Sequence, residues 1–374
     1  MMSQVLHLIG KAALVFIGLY VAWTIYLAFV LRWEDDRSVG LGYYGRDRKG
    51  RERFRRQLKL HALLLSPILR FNSKLTRMDF KRARVTVRDV SFPAGSCDTA
   101  SVERAVSYQP QPQDVFVVTQ MKCGTTWMEH VVFQVVNRGT GDLVETGRAL
   151  YAVAPWIEGR RSVPIDQAPL VGGARPTRLI KSHLPAQLCP RDGTARFIYV
   201  ARHPASCFAS CVDFIRTNVG SMTPPLPACE AWFCSPELMW WGTWTDHVRG
   251  WWERNRQDGN VLFVRFEEMK KDLASVVRRV AEFLGVAPLN DGEMAQVLLK
   301  CGFDYMQEHD DSFEMHPPHV LQTNAALFVS GTADRHKDLP DDIRARILGW
   351  AAAGLAGSDF PLAQSYPDVA AAGT

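Results

Sequence analysis

The strongest structural signal in this 374-residue chain is the segment Asp114-Val-Phe-Val-Val-Thr-Gln-Met-Lys-Cys-Gly-Thr-Thr-Trp127. Its apolar, mostly β-branched run at 115–118 predicts a buried strand. A short turn with Lys122 and Gly124 follows, and apolar residues at helical spacing over 127–137 then predict a helix. A strand, a glycine turn and a helix N-terminus together form a site for anions, because free N–H groups and the positive end of the helix dipole meet there.

This loop is not a Walker A loop, in which the lysine follows the second glycine of GxxxxGK[ST]. Here Lys122 precedes Gly124, and Thr125 and Thr126 follow the glycine. The order Lys-x-Gly-Thr-Thr-Trp after a strand resembles the phosphosulfate loop of sulfotransferases that use 3′-phosphoadenosine 5′-phosphosulfate (PAPS). The resemblance is to the soluble aryl, alcohol and steroid sulfotransferases.

Later segments repeat the pattern of a strand followed by polar residues. Apolar runs at 178–180, 196–201 and 260–266 each precede a polar motif, and helical patterns cover 205–216 and 272–284. Alternating strands and helices predict an α/β fold, a P-loop-like parallel sheet flanked by helices on both faces, as in the sulfotransferase fold. Ligands bind such sheets just beyond the carboxyl ends of the strands, where these polar motifs lie.

The resemblance to the sulfotransferases continues, in the family's order, from residue 114 to about residue 337. The motif Lys181-Ser-His183-Leu-Pro resembles the family's K-T/S-H-L-P, in which the histidine is the general base. Residues 244–272 are similar to two further family segments, G-x-W-x-x-H-x-x-x-W-W and Y/F-E-D/E-M-K-x-D. Ordered agreement of this kind is more specific than any single motif.

Two further matches concern the nucleotide part of PAPS. Arg202 and Ser210 resemble the family's R-x7-S pair, which holds the 3′-phosphate. Ser312-Phe313 resembles the short stretch that borders the adenine, and Trp127 fits either an adenine contact or the core. The resemblance therefore implies that PAPS is the co-substrate.

The resemblance also implies a role for each residue near the reacting sulfur. Lys122 neutralises the leaving phosphate, the backbone at Gly124 holds the 5′-phosphate, Lys181 reaches the sulfuryl group, and His183 takes the acceptor's hydroxyl proton. Sulfuryl transfer, like phosphoryl transfer, depends on positioning and electrostatics, and no metal is expected. The implied cofactor-binding residues are Lys122, Cys123, Gly124, Thr125, Thr126, Trp127, Arg202, Ser210, Phe266, Ser312, Phe313 and Gly331.

The chain departs from the family pattern at several positions. Cys123 replaces the usual serine of the loop, and Phe266 replaces a tyrosine near the adenine. The late R-K-G-x-x-G motif keeps only Gly331, so the 3′-phosphate is held less tightly or by a replacement such as Arg335 or Lys337. The family's short C-terminal dimer motif is not visible, and the oligomeric state stays open.

Each candidate residue also has a structural alternative. Lys122 could be a solvated surface lysine, His183 a structural histidine, and Arg202 a partner in a salt bridge at a strand end. Several other residues are expected to be structural or to lie in the core: His203, His247, His309, His316, His319, Trp251 and Trp252.

The cysteines indicate a reducing environment. The eight cysteines contain no CxxC pair and no second half of a metal-binding pattern, which favours reduced thiols in a cytoplasmic compartment. Cys123 lies between Lys122 and a helix N-terminus, and both features favour the thiolate. The sequence therefore predicts a reactive Cys123.

The N-terminal segment Ala12–Leu31 is apolar except for one threonine and is long enough to cross a bilayer as a helix. A cleaved signal peptide is the alternative, but the run is long and no small-residue cleavage site follows it. Lys11 precedes the segment and many arginines follow it, so the positive-inside rule predicts a single-pass protein whose C-terminal part faces the cytoplasm.

A basic stretch follows the apolar segment. Residues 32–84 contain sixteen Lys or Arg and six Asp or Glu, a local charge of +10 within a chain of net charge +5. The basic and apolar residues at 51–71 fit either a helix on the lipid surface or a linker helix that packs on the domain. Nucleic acid is not the expected partner, because no recognition motif accompanies the charge. The residues at 218–242 are expected to form a long loop.

These observations predict a membrane anchor at 1–33, a basic juxtamembrane segment at 34–100, a catalytic domain at 101–360 and a tail at 361–374. The predicted function is sulfuryl transfer from PAPS to a hydroxyl of a small-molecule or lipid-like acceptor. The sequence does not identify this acceptor, and the anchor is the reason to consider one that resides in the membrane. Two alternatives stay open: a nucleotide-dependent phosphotransferase, and a non-catalytic membrane protein on a decayed sulfotransferase fold.

Overall fold

The computed structural model describes residues 2–30, 35–36, 40–41, 43–62, 71, 73–173, 175–314, 331 and 334–373. His316, His319 and the two residues before Gly331, where the family's Arg-Lys pair is replaced, lie outside these residues.

The described strands form two small antiparallel pairs and one central sheet. The pairs join β1 (Asp35–Asp36) to β2 (Gly40–Leu41) and β3 (Arg84–Val87) to β4 (Val90–Pro93). The central sheet contains β5 (Asp114–Val118), β6 (Arg178–Ser182), β7 (Arg196–Ala201) and β8 (Val261–Arg265). Its strands run parallel, as the sequence predicts, and their order is β6-β5-β7-β8.

Helices precede, connect and follow these strands. The described α-helices are α1 Met2–Val30, α2 Arg48–Ala62, α3 Thr99–Val106, α4 Thr125–Val136, α5 Leu150–Val153, α6 Pro204–Val219, α7 Leu226–Cys234, α8 Trp244–Gln257, α9 Phe266–Lys271, α10 Leu273–Leu284, α11 Asp291–Lys300, α12 Phe303–Glu308, α13 Asp341–Leu355, α14 Leu362–Ser365 and α15 Pro367–Ala371. Short 3₁₀ turns occur at Ile165–Gln167, Gly220–Met222, Asp310–Ser312 and Arg335–Asp338.

Both faces of the central sheet are buried. Successive residues of β5 point to opposite faces, so Val115 and Val117 pack in one apolar cluster while Phe116 and Val118 pack in the other. The first cluster includes apolar residues of α4, α10 and α11, and the second includes residues of α6, α8 and α13. A strand buried on both sides needs a continuous apolar sequence, which explains the unbroken run at 115–118.

The second cluster also contains residues on both sides of the predicted catalytic domain. Phe80 and Phe92 come from the segment before it, and Tyr366 and Val369 come from the segment after it. Phe80 stacks on Trp232 with ring centroids 4.6 Å apart. These residues are continuous with the core of the sheet.

Two helical segments differ from the sequence-based expectation. The helix after the loop begins at Thr125 rather than at 127, because Gly124 in a left-handed conformation is its N-cap. The segment 218–242, expected to be a loop, contains α7. A proline in the first turn of α7 is compatible with a helix, and three apolar side chains at helical spacing, Cys229, Trp232 and Phe233, are buried.

The helix α1 contains residues 12–30 of the predicted apolar span, and Leu31 lies outside the described residues. Within it, Gln4–Trp23 is 20 residues long and apolar enough to cross a membrane, and no part of this stretch is buried in the protein. A signal sequence near the N-terminus would pass the same test of length and composition.

The basic helix α2 packs on the domain through one face only. Arg51 and Phe54 are buried, whereas Lys49, Arg53 and Arg56 are exposed on the opposite face. Of the two alternatives for residues 51–71, packing on the domain therefore describes the inner face of α2, and residues 63–70 lie outside the described residues. Its outer face is basic and accessible.

Candidate active site

The candidate residues that follow the four parallel strands lie at one edge of the sheet. Lys122, His183, Arg202 and Phe266 each follow the carboxyl end of a parallel strand. Because the four strands run in the same direction, these residues lie along one edge.

The loop between β5 and α4 has a specific backbone shape. Gly124 has φ 102°, and a Cβ at this position would lie 2.7 Å from Cδ2 of Phe266. Lys122 also has a left-handed backbone, φ 63°, and its carbonyl oxygen accepts a hydrogen bond of 3.0 Å from Nη1 of Arg202. Both the positive φ and the close aromatic ring require glycine at 124.

The side chain of Lys122 is half-buried at this edge. Its ammonium lies 4.9 Å from the ring centroid of Phe214. Burial lowers the pKa of Lys122 to about 8, and the positive charges of Arg202 and Lys181 contribute to the shift. An anion bound here would raise the pKa of Lys122 again, because its negative charge would favour the charged lysine and offset the nearby positive charges.

The tautomer of His183 is fixed by its neighbours. Its Nδ1 lies 2.9 Å from the carbonyl oxygen of Thr119. A carbonyl oxygen only accepts hydrogen bonds, so Nδ1 carries the proton and Nε2 keeps its lone pair. Burial, followed by the charge of Lys181, lowers the pKa of His183 well below its ordinary value. His183 is therefore neutral at physiological pH and can accept a proton at Nε2.

Two buried residues hold the backbone of His183 in place. The carboxylate of Glu158 accepts hydrogen bonds from the His183 amide at 2.6 Å and from the Ser182 hydroxyl at 3.1 Å. On the other side, Nε2 of His247 lies 2.9 Å from the His183 carbonyl oxygen and Nδ1 lies 2.9 Å from the Tyr199 hydroxyl. The expectation that His247 is structural is consistent with this position.

Lys181 lies in an aromatic and acidic environment. Its ammonium donates a hydrogen bond of 2.6 Å to the hydroxyl of Tyr151 and lies 4.2 Å from the ring centroid of Trp156. Burial lowers the pKa of Lys181, whereas the carboxyl groups of Glu129 and Glu158 act in the opposite direction. The two carboxyl groups therefore favour the charged form of a buried lysine.

Aromatic side chains surround the ring of His183. The ring centroid of Trp241 lies 4.8 Å from that of His183, and the centroid of Trp156 lies 5.5 Å from it. Trp241 has a left-handed backbone, φ 62°, which is uncommon for an aromatic residue. These rings can form the apolar wall of a pocket for a hydroxyl-bearing molecule.

A second aromatic group lies on the other side of the loop. Trp127 and Phe266 meet edge to face with centroids 5.4 Å apart, and the guanidinium of Arg202 lies 4.4 Å from the Phe266 centroid. The indole N–H of Trp127 donates to the Cys301 carbonyl oxygen at 2.8 Å. The ammonium of Lys270 lies 5.5 Å from the Trp127 centroid. Flat aromatic surfaces beside two cations suit a phosphorylated nucleoside.

The loop threonines contact other elements of this edge. The hydroxyl of Thr125 lies 2.6 Å from that of Thr119, and Thr126 is hydrogen bonded to Tyr151. Both threonines therefore connect the loop to the neighbourhood of His183 and Lys181.

The remaining candidates lie farther along the chain. Ser210 is half-buried in the second turn of α6, and Ser312 and Phe313 are buried. Gly331 has φ 57°, and a Cβ there would lie 2.6 Å from Cδ2 of Phe303.

The two replacements suggested for the missing Arg-Lys pair are engaged by acidic groups. Arg335 pairs with Asp213 and with Asp338, and Lys337 pairs with Asp334 at 2.7 Å. Both cations therefore already have carboxylate partners within the protein.

The prediction of a reactive Cys123 is wrong for the folded protein. Cys123 is fully buried, and its Sγ lies 3.6 Å from Sγ of Cys207. Burial and the neighbouring Cys207 raise the pKa of the Cys123 thiol well above its ordinary value. Desolvation of the thiolate outweighs the nearby positive charge of Arg202.

Sequence reasoning missed several residues of this site. Tyr151, Trp156, Glu158 and Trp241 belong to no motif that the sequence analysis identified, and Glu129 lies within the predicted helix as an ordinary polar residue. One signal was available, because a carboxylate in an otherwise apolar helix face is rarely buried without a reason.

Known proteins resemble this chain in sequence. Residues 112–346 match the family described as the sulfotransferase domain. Sulfotransferase 1C2 of Rattus norvegicus is 29% identical over 214 residues, which cover 54% of this chain and 69% of that protein. The 3-alpha-hydroxysteroid sulfotransferase of Cavia porcellus is 30% identical over 256 residues, which cover 67% of this chain and 86% of that protein.

Solved structures support the same fold. Mouse sulfotransferase SULT7A1, in complex with PAP, has a TM-score of 0.59 and 22% identity over 74% of this chain and 95% of its own. Retinol dehydratase, in complex with androsterone and the inactive cofactor PAP, has a TM-score of 0.58 and 18% identity over 70% of this chain and 86% of its own. Together with the match over residues 112–346, these similarities show that the chain is an enzyme of the family of PAPS-dependent sulfotransferases.

Proposed function

We propose that this enzyme transfers the sulfuryl group of PAPS to a hydroxyl group of an amphiphilic, membrane-resident acceptor. The observation that carries the chemical part of the proposal is the hydrogen bond from His183 Nδ1 to the Thr119 carbonyl oxygen. It leaves Nε2 as a proton acceptor in a buried site that also holds Lys122 and Lys181.

In the proposed reaction, the acceptor oxygen forms a bond to sulfur while the bond from sulfur to the phosphate oxygen of PAPS breaks. The acceptor's proton moves to Nε2 of His183, and the leaving bisphosphate keeps the electron pair. Lys122 offsets the charge that develops on the leaving oxygen, and Lys181 offsets charge on the sulfuryl oxygens. The loop N–H groups at the start of α4 bind the 5′-phosphate.

We assign the nucleotide to the side of the loop that holds Trp127, Phe266 and Arg202. Arg202, which lies between β7 and α6, then contacts the 3′-phosphate, with Ser210 on α6 as the second implied partner. Phe266 cannot supply the hydroxyl of the family's tyrosine, but its ring packs against the guanidinium of Arg202. The acceptor would occupy the side lined by Trp156 and Trp241.

The catalytic unit extends beyond residues 101–360 in this proposal. Phe80, Phe92 and Tyr366 share a core with the sheet, so their segments fold with it. The helix α1 would then anchor this unit as a single membrane span, with the unit on the cytoplasmic side. The exposed basic residues of α2 would face anionic lipid headgroups.

One experiment separates this function from the two alternatives. The full chain in detergent is incubated with sulfur-labelled PAPS or with γ-labelled ATP and a set of phenols, sterols and long-chain alcohols, with and without EDTA. The proposal expects transfer from PAPS in the presence of EDTA and none from ATP. Transfer from ATP that EDTA abolishes would identify a phosphotransferase.

A direct binding measurement addresses the non-catalytic alternative. PAP is the 3′,5′-bisphosphate that remains after PAPS has lost its sulfuryl group. Calorimetry with PAP tests whether the nucleotide site exists even when no acceptor in the set reacts. A chain that neither binds PAP nor transfers the label would be the non-catalytic protein.

A further inference from the structure

The segment 43–56, between the apolar helix and the sheet, contacts the candidate active site directly. Tyr44 stacks on Tyr151 with ring centroids 5.7 Å apart and an interplanar angle of 29°. The hydroxyl of Tyr151 in turn accepts the hydrogen bond from the Lys181 ammonium. Tyr151 is therefore the one residue that lies between Tyr44 of the juxtamembrane segment and the candidate catalytic Lys181.

The inner face of α2 fixes this segment to the domain. Arg51 is almost completely buried, and its Nη1 donates to the carbonyl oxygens of Arg46 at 2.9 Å and of Gly147 at 3.0 Å. Gly147 lies three residues before α5, the short helix that carries Tyr151. Arg51 therefore ties the segment to the chain that positions Tyr151.

The same segment reaches the nucleotide side of the site. Arg55 pairs with Glu314 at 2.5 Å, Tyr43 donates a hydrogen bond to the same carboxylate, and Arg48 pairs with Asp311 at 3.1 Å. Glu314 follows Phe313 directly, in the stretch whose sequence resembles the family's adenine border. Both ends of the proposed PAPS site thus contact one segment.

We propose that the segment 43–56 is a positioning element of the sulfuryl-transfer site, in which Tyr44 orients Tyr151 and hence Lys181, and Arg55 orients the stretch at 311–314. This inference rests on the proposed function. The inner face of the segment would position groups of the active site, whereas the basic outer face of α2 would face the membrane surface.

The Lys181 ammonium is held by the Tyr151 hydroxyl and by the ring of Trp156, whose centroid is 4.2 Å away. A long side chain carries several rotatable bonds, and a hydrogen bond to one hydroxyl fixes only its end. The Tyr151 hydroxyl is also hydrogen bonded to Thr126, and the stacked Tyr44 ring lies against the Tyr151 ring, so that loss of Tyr44 leaves this ring room to move. Displacement of a reacting group by about 1 Å is enough to lower a rate about 100-fold.

The test compares variants of the full chain in detergent. Tyr44→Ala removes the stacked ring, and Tyr44→Phe keeps it. We expect Tyr44→Ala to lower kcat about tenfold or more while the KM for PAPS stays within about twofold. We expect Tyr44→Phe to retain near wild-type turnover. Equal kcat values for Tyr44→Ala and the wild type would overturn the proposal.

A second pair of variants tests the nucleotide side. Arg55→Ala removes the contact with Glu314, and Arg53→Ala, two residues earlier on the exposed face of α2, is the matched control. We expect Arg55→Ala to weaken PAP binding several-fold in calorimetry and Arg53→Ala to leave it unchanged. Identical binding by the two variants would contradict the role of Arg55.

A readout without turnover separates this inference from the proposed function. Amide hydrogen exchange at 150–153 and 178–183 reports whether the Tyr151–Lys181 region loosens. We expect faster exchange there in Tyr44→Ala and not in Tyr44→Phe. If the wild type binds PAP but no acceptor in the set reacts, the exchange data still decide whether the segment holds this region. Unchanged exchange in Tyr44→Ala would refute it.

Discussion

The ring of His183 donates a hydrogen bond from Nδ1 to the carbonyl oxygen of Thr119 over 2.9 Å. This contact links the first residue after β5 to the first residue after β6, two adjacent parallel strands. Because a carbonyl cannot donate, the contact selects the tautomer that a general base requires at Nε2. The parallel register of the sheet therefore sets the protonation of the proposed base.

The first prediction concerns the base itself. His183→Ala should lower kcat by about 100-fold to 10,000-fold, the usual range for the loss of a general base. PAP binding should stay within about twofold, because the histidine acts on the acceptor's proton. Calorimetry and steady-state kinetics on the same preparation test both statements. A variant with near wild-type turnover would exclude His183 as the base.

The second prediction concerns pH and Lys122. Its pKa is lowered to about 8, so the free enzyme loses this positive charge as the pH rises through that value. The value of kcat/KM for PAPS should therefore fall above about pH 8. The pKa of His183 is lowered well below its ordinary value, so no loss of activity from its protonation is expected near neutral pH.

Lys122→Arg provides the control for this profile, because a guanidinium keeps its charge throughout the alkaline range. The variant should be slower at every pH, since the arginine fork does not fit the loop as the lysine does. Its profile should nevertheless show no alkaline decline near pH 8. A decline that is the same in both proteins would assign the titration to another group.

Much of this site follows from local sequence, and the rest depends on long-range packing. A strand, a glycine turn and a helix start are contiguous, so the loop at Lys122 and the edge that carries His183 are predictable from a short window. Trp156 reaches the site by a different route. The carbonyl oxygen of Pro155 accepts a hydrogen bond from the Lys181 amide at 2.9 Å, and the Ile157 amide donates to the Lys181 carbonyl oxygen at 3.0 Å. This pairing extends the edge of β6.

No local pattern predicts such an edge pairing, because the partner lies about two dozen residues away. Trp241 is similar, since its amide donates to the carbonyl oxygen of Ser91 at 2.7 Å, far away in sequence. The erroneous prediction for Cys123 has a related cause. The helix N-terminus and Lys122 are visible in the sequence, but the burial that raises the thiol pKa depends on packing against Cys207 and α6.

The third prediction assigns a cation to the 3′-phosphate. Arg335 and Lys337 are paired with carboxylates, whereas the ammonium of Lys270 lies 5.5 Å from the Trp127 centroid and 5.9 Å from the Phe303 centroid. Lys270 and Arg202 each lie beside one ring of the Trp127–Phe266 pair, and burial followed by the positive charge of Arg202 lowers the pKa of Lys270.

Lys270→Ala should therefore raise the Kd for PAP about tenfold, as expected for the loss of one charged hydrogen bond. Lys271→Ala, on the same helix and exposed, is the matched control and should bind as the wild type does. Calorimetry should compare the binding of PAP with that of adenosine 5′-phosphate, which lacks the 3′-phosphate. If Lys270→Ala weakened the binding of both nucleotides equally, the contact would not be with the 3′-phosphate.

The fourth prediction reverses the expectation for Cys123. Because this thiol is buried and its pKa is raised, iodoacetamide should inactivate the native enzyme slowly. Cys123→Ser should be inactivated at the same rate, and added PAP should give little protection. Rapid inactivation that PAP blocks and Cys123→Ser abolishes would show that the loop opens often enough to expose the thiol.

The last prediction concerns the anchor. A chain that begins at Gly40 lacks α1 but keeps the segment 43–56, so its PAP binding and its turnover of small soluble phenols should match those of the full chain. With an amphiphilic alcohol in vesicles that contain phosphatidylserine, its activity should be about tenfold lower, because the anchor holds enzyme and acceptor on one surface. Residual binding to these vesicles should depend on the exposed basic face of α2 and should decrease with salt. Lys49→Glu combined with Arg53→Glu in the shortened chain should abolish that residual binding without changing the turnover of soluble phenols. Equal vesicle activity of the full and shortened chains would contradict a membrane-resident acceptor.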